Sequence, residues 1–328
     1  MHRHVRWPEK EEPKKETQKK LEGKSIMKRE KQKENVGSFF TPKMIICGII
    51  LVIIFLAAIF YKVISTHDPL EVNAGHMYSK AMENGHLLGA DKLGRDLFSR
   101  LVYGAHSSVI NAFLIVIFEI IVGVPIGLIC GYYGGWLDNL IMRIWDVVCS
   151  LPPLLLSFIL IAIFGKGGIT GVIAIGISFV PLTAKLARSM IMTEKKAVYI
   201  EACKSMGYSD MRIIFIHILP NIITTMISQF TLDVGNAIVS MATLSYLGLG
   251  VQPPSADWGS LLEDGMANIY SNMILLLAPA LVISITTIAI NIFSDGIQEY
   301  IDPSSRKLPS FKKYLKKKAR MEVAYGQE

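Results

Sequence analysis

YIEACKSMGYSDMRIIFIHILP, from Tyr199 to Pro220, is a polar, helix-forming stretch set between two long apolar segments, and it organises the reading of the whole chain. Tyr199, Ala202, Cys203 and Met206 stand at i, i+3, i+4 and i+7, one face of an α-helix, with Glu201 and Lys204 on other faces. Gly207 can take the left-handed conformation that ends a helix. Ser209 followed by Asp210 can cap a second helix, whose first turn favours negative charge. That second helix runs through the apolar Met211 to Leu219, and Pro220 predicts a break or kink where the next apolar run begins. The pattern predicts helix, glycine turn, helix, a compact loop suited to touching a partner.

The flanking runs set the fold class. The chain has 328 residues, 51% of them hydrophobic, and a mean hydropathy of +0.41, too apolar for a soluble domain of this size. Six runs have the ~20-residue length that crosses a bilayer as a helix. They lie at about 44–64, 108–130, 148–165, 168–190, 221–243 and 272–294. Backbone polar groups in lipid must be satisfied internally, and the period-2 pattern of barrel strands is absent. The expectation is an all-α polytopic membrane protein with six transmembrane helices.

Charge gives an orientation. Residues 1–43 carry 13 Lys/Arg against 7 Asp/Glu, and 302–328 carry 8 against 3. The 185–212 region has 6 against 3, whereas 65–107 has 4 against 5 and 251–271 has 3 acids and no Lys/Arg. By the positive-inside rule both tails and the Tyr199 loop are cytoplasmic, and the other two segments are outside. The Lys/Glu-rich residues 9–34 interleave their signs with only Trp7 nearby, which reads as a disordered tail near anionic lipid rather than a nucleic-acid site. The first apolar run is too long for a signal core and should stay as an anchor. Cys47, Cys130, Cys149 and Cys203 have neither disulfide nor zinc spacing.

Two further segments carry patterns. HLLGADKLGRDLFSRLVYG, from His86 to Gly104, reads as an amphipathic helix capped by Asp91, with Leu93, Leu97 and Leu101 on one stripe and Gly104 as its end. Arg95, Asp96 and Arg100 can pair with one another or with lipid headgroups. LSYLGLGVQPPSADWGSLLEDG, from Leu244 to Gly265, releases a helix at Gly248 and Gly250, forbids its continuation at Pro253 and Pro254, and restarts near Asp257. Trp258 has the ring expected of an interfacial anchor. The last span exits through NIFSDGIQEYIDP, punctuated by Gly296 and Pro303.

Glu201, Ala202, Gly207, Leu219 and Pro220 resemble the Glu-Ala-Ala loop of ABC-importer permeases, with Cys203 in place of the second Ala. Gly89, Asp91, Gly94, Arg95, Asp96, Ser99, Arg100 and Gly104 match a second motif. Leu247, Gly248, Leu249, Gly250, Pro253, Pro254, Trp258 and Gly259 match another. Taken in chain order together with the Asn291–Pro303 segment, over roughly residues 86–303, the chain resembles the C-type permease subunit of the dipeptide, oligopeptide and nickel ABC importers. Ala90 stands where the family commonly has Thr, Ser294 where it has Gly, and Gln298 where it has Arg.

The resemblance implies a type I ABC-importer permease fold in a bacterial plasma membrane. It implies a homologous second permease subunit, two cytoplasmic ATPase subunits that bind ATP and Mg, and an extracellular solute-binding protein. The cargo would be oligopeptides or dipeptides, with nickel or a nickel chelate as the alternative. Tyr199, Glu201, Ala202, Cys203, Met206, Gly207, Leu219 and Pro220 would then form the ATPase-coupling loop, and Gln252, Pro253, Pro254 and Trp258 the contact with the binding protein.

Catalytic chemistry is not evident in the chain. Gly23-Lys24-Ser25 has Gln18 where a phosphate loop needs its leading Gly, and Gly165-Lys166 is followed by Gly167. No cofactor, metal site or catalytic triad is expected, since His2, His4, His67, His76, His86, His106 and His217 show no ligand spacing. Glu119 and Asp233 are costly in hydrocarbon, and should either face an aqueous pathway or join two helices. Were they ion-coupling residues, the chain would be an ion-coupled secondary transporter. Gly123, Gly127, Gly131 and Pro125 read as packing or bending positions in the second span.

Overall fold

The computed structural model describes residues 42–301. The two basic tails, Gly23-Lys24-Ser25 and Pro303 lie outside the described residues. Of residues 1–45, only Pro42–Ile45, the opening turn of a helix, is described.

The described residues form helices joined by turns and one long irregular segment, 65–96, with no strand among them. In order they are α1 (Pro42–Ile59), α2 (Tyr61–Ile64), α3 (Leu97–Tyr133), α4 (Gly135–Ser150), α5 (Pro153–Phe164), α6 (Gly168–Glu194), α7 (Val198–Ser205), α8 (Asp210–Arg212), α9 (Leu219–Tyr246), α10 (Trp258–Ala267) and α11 (Ile274–Ile301). Five segments are long and apolar enough to span a bilayer: α1, α3, α6, α8 through α9, and α11.

The third expected span, at 148–165, is not one helix. The chain bends by 93° between α4 and α5, so the sixth crossing exists only if this broken pair is counted as one. Pro152 and Pro153 explain the bend: each lacks an N–H, and the residue before a proline is pushed out of helical geometry, as Leu151 is with ψ 135°. The polar face of α4 is tied to α6 by Arg188, which donates to both Asp138 oxygens at 2.5 and 2.6 Å, and by Lys185 to Asp146 at 2.7 Å.

The seam between α3 and α6 is the most extensive in the fold. Gly123, Gly127 and Gly131, one turn apart, let the two backbones touch. A Cβ at Gly127 would lie 2.5 Å from the Ala184 carbonyl oxygen and 2.6 Å from the Ala187 Cβ. The packing reading of these glycines fits this geometry. Gly127→Ala should therefore destabilise by about 1–3 kcal/mol despite alanine's helix propensity. Gly48→Ala in α1, where the nearest atom to a new Cβ is 3.8 Å away, should be neutral or stabilising. Thermal unfolding of the two variants in detergent checks the contrast.

Around that seam, α9 packs on both α3 and α6, α11 closes on α9 and α10, and α1 touches α3 near its own C-terminal end. Phe55 meets Phe113 with centroids 5.5 Å apart, and the His106 ring donates to the Ala58 carbonyl at 2.8 Å. At 37 residues α3 is about 55 Å long. Its two ends carry two different assemblies.

Candidate functional site

At the C-terminal end of α3 sits the Tyr199–Pro220 loop. α7 closes in a paired-bond turn in which the Gly207 amide donates to the Lys204 carbonyl and the Tyr208 amide to the Cys203 carbonyl. Gly207 has φ +76°, as that turn requires. Helix, glycine turn, helix is the observed order.

The faces differ from expectation. Ile200 and Cys203 are buried, Tyr199 is partly exposed, and Ala202 and Met206 face outward. Tyr199, Ala202, Cys203 and Met206 are thus not a single buried stripe, because Ile200, one position on, supplies the main anchor. Ser209 precedes α8 but its side chain makes no capping bond.

Pro220 does not break the chain. Residues Ile213–Ile218 form a π-helical turn, in which the Leu219 amide reaches back five residues to the Ile214 carbonyl. The wider turn absorbs the N–H that Pro220 lacks and lets α8 run on into α9. Buried Ile213, Ile214 and Ile218 hold this segment down, while Val198, Met206, Met211 and Phe215 stay exposed.

Residues not singled out by sequence tie the loop to the bundle. Tyr132 donates its hydroxyl to Asp210 Oδ1 at 2.6 Å. Lys195 Nζ donates to the Gly131 and Tyr132 carbonyls, satisfying the end of α3. Asn221 donates to the Tyr199 hydroxyl, which donates to Glu194. Burial and the Glu194 acceptor push the Tyr199 hydroxyl above its usual range, so it stays a donor. Spacing along the chain carries no sign of these partners, which come from three separate helices.

Inside the bundle, Glu119 of α3 and Asp233 of α9 are brought together. Glu119 is 1% exposed, and no fixed donor among the described residues reaches its oxygens. Gln229 donates to Asp233 at 3.1 Å. Two carboxyls in contact close as a hydrogen bond only when one carries a proton.

The N-terminal end of α3 holds the other two motifs, packed against each other. The cap of α3 is Asp96, which accepts from the Ser99 amide, rather than Asp91. Asp91 instead closes a tight loop, accepting from the Leu93 and Arg95 amides and from Arg95 Nε at 2.6 Å. The helix begins only at Leu97 and does not end at Gly104, which lies inside α3 beneath the Trp258 ring. Arg95, Asp96 and Arg100 are buried and do not face lipid, and Asp264 of α10 lies 3.5 and 3.6 Å from the two guanidinium groups.

Trp258 corrects another expectation. It is fully buried, donating from Nε1 to the Leu101 carbonyl and from its amide to Ser108 Oγ. It is a core residue joining α10 to α3, neither an interfacial anchor nor a side chain free to meet a binding protein. Asp257, beside it, caps α10 reciprocally with Ser260 and accepts from Ser245 at 2.6 Å. Burial pushes its carboxyl up, against those hydrogen bonds. Pro253 and Pro254 are exposed and Gln252 partly so. In the last helix Gly296 does not punctuate, since α11 continues to Ile301.

The fold also gathers what spacing separates. His67, His86 and Asp96 come together, against the expectation of no metal-ligand cluster.

Apolar helices packed through a glycine seam, with a helix-turn-helix loop at one end and a stapled polar cap at the other, make a polytopic membrane protein of the transport-permease class. The chain belongs to the binding-protein-dependent transport system inner membrane components, the family matched over residues 123–307. It is 37% identical over 265 residues to the dipeptide transport system permease protein DppC of Alkalihalophilus pseudofirmus, covering 80% of this chain and 87% of that one. To the glutathione transport system permease protein GsiD of Pectobacterium atrosepticum it is 34% identical over 256 residues, covering 78% and 85%. Its fold matches a chain of the MetNI methionine ABC transporter in an inward-facing conformation, with a TM-score of 0.52 at 18% identity, covering 63% of this chain and 98% of that one.

Proposed function

We propose that this chain is the permease subunit of an ABC importer for dipeptides or short oligopeptides. The observation that carries the reading is the Tyr199–Pro220 loop, a short helix clamped from below by Ile200 and Cys203 and from the side by Tyr132 and Lys195, with Glu201, Ala202, Met206 and Met211 left outward. The dipeptide and glutathione permeases to which the chain is similar support peptide as the cargo.

In this reading both termini and the loop are cytoplasmic, where the Lys/Arg excess lies. Two ATPase subunits holding ATP and Mg close on the loop, and the spans of this chain and a second permease subunit switch access. Coupling requires that loop and ATPase make different contacts in the two states. Glu201 supplies charge, Ala202 close approach, Gly207 the turn, and Met206 with Met211 an apolar docking surface. A solute-binding protein delivers the peptide near the exposed Gln252, Pro253 and Pro254, and the Glu119–Asp233 pair lies beside the pathway.

Reconstitution of the assembled importer in liposomes tests this. Labelled dipeptide should accumulate only with ATP and the binding protein. Accumulation driven by an ion gradient without ATP would favour the ion-coupled carrier, with Glu119 and Asp233 as its coupling groups. Accumulation of Ni²⁺ but not peptide would favour the nickel alternative.

A further inference from the structure

Three histidines of the 65–96 segment, His67, His76 and His86, meet where α3 begins. His86 is 3% exposed, and its Nδ1 lies 2.9 Å from Oδ1 of Asp96. His67 Nδ1 is 3.9 Å from Oδ2 of the same carboxylate, and its ring lies tilted against that of His86 with centroids 4.9 Å apart. One ligand atom from each of His67, His86 and Asp96 lies within 4.8 Å of the other two. Behind them, His76 Nδ1 is 3.1 Å from His86 Nε2, and Asn73 Nδ2 is 3.4 Å from that Nδ1.

We propose that His67, His86 and Asp96 bind a divalent transition-metal ion of the zinc class, with a further position open to water. Two imidazoles and a carboxylate are a donor set that suits zinc. Tetrahedral metal–ligand bonds of about 2.0–2.1 Å place neighbouring donor atoms roughly 3.3–3.4 Å apart. The His86 Nδ1–Asp96 Oδ1 separation of 2.9 Å need open by only roughly half an ångström to reach such an edge. His67 Nδ1, 3.9 Å from the second oxygen, Oδ2, must close by at least about half an ångström, exchanging its 3.2 Å contact with the Thr66 hydroxyl for the ion, and its side chain is 40% exposed.

The surroundings fit a built site. Asp96 is fixed by the Ser99 amide at 2.8 Å and by the Thr66 hydroxyl at 3.2 Å. With the ion on Nδ1 of His86, the remaining proton sits on Nε2 and donates to His76 Nδ1, the outer-shell hydrogen bond that orients a ligating histidine. A helix cap alone accounts for Asp96 and Ser99, but not for the convergence of three imidazoles. The bound ion would fasten the 65–86 segment to the start of α3, and the exposed His67 opens the site to the medium.

Zinc titration of the chelator-treated, assembled importer by calorimetry is the test, with Co²⁺ absorption as a second readout. Wild type should bind one zinc more per copy of this chain than His67→Ala or His86→Gln, or bind it tenfold or more tightly. Its Co²⁺ complex should show visible d–d bands that His86→Gln lacks. His2→Gln with His4→Gln should leave both unchanged. His67→Ala truncates a partly exposed side chain, so it keeps the test valid if His86→Gln fails to fold. Equal zinc binding by wild type and His67→Ala, or binding lost with His2 and His4, overturns the proposal. The readouts do not depend on which cargo the importer moves.

Discussion

Gly207→Val is expected to abolish ATP-driven uptake while the membrane helices remain folded. A Cβ at this position would touch nothing within 4 Å, so crowding is not the cause. The cost lies in the backbone: φ +76° suits glycine, and a β-branched residue there is strained by about 1–3 kcal/mol. The chain can relieve that strain by opening the two bonds from Gly207 and Tyr208, which frees α8 from its set angle to α7. Every 1.4 kcal/mol is about tenfold in an equilibrium, enough to remove most loops from the docking geometry. Gly207→Asn, which tolerates the left-handed region, should retain much of the activity. Parallel measurement of uptake and ATP hydrolysis in liposomes distinguishes uncoupling from misfolding. Wild-type uptake by the valine variant would remove the loop from the coupling mechanism.

Trp258→Ala should be the most destabilising single truncation at the other end, by about 3–5 kcal/mol. The ring fills the space above Gly104 between α3 and α10, and both its nitrogen donors are used. Trp258→Phe, which keeps most of the volume but loses the indole bond, should cost far less, with the lost bond contributing about 1 kcal/mol. Unfolding of the purified importer in detergent reads both. A loss below about 1 kcal/mol for the alanine variant would return Trp258 to the surface position that its sequence context suggests.

These two sites show which parts of the fold the sequence made legible. The apolar runs, the glycine turn and the glycine seam follow from local periodicity and backbone freedom, so Gly207 and Gly127 could be read directly. The helix starting at Leu97 was harder, because Asp91 and Asp96 are both plausible caps. Only the demand of Arg95 for a buried partner assigns Asp91 to the loop. Gly104 and Pro220 look like stops and are not, since a neighbouring tryptophan needs the first and a π turn absorbs the second. The 93° bend after Ser150 was hidden because hydropathy counts length without direction. Trp258, Tyr132, Lys195 and the histidine cluster gain their meaning from residues up to 157 positions away, a distance at which spacing carries no information.

The glycine seam also sets how movement can travel. With their backbones in close contact at Gly123, Gly127 and Gly131, α3 and α6 are locked together over the half of α3 nearest the loop, where Tyr132 and Lys195 grip it. That locked stretch, from Gly123 to Gly131, is about 12 Å long. In the coupling proposed above, a push on the loop therefore reaches two helices at once, and Pro125 and Pro181 mark where the motion can turn on its way across.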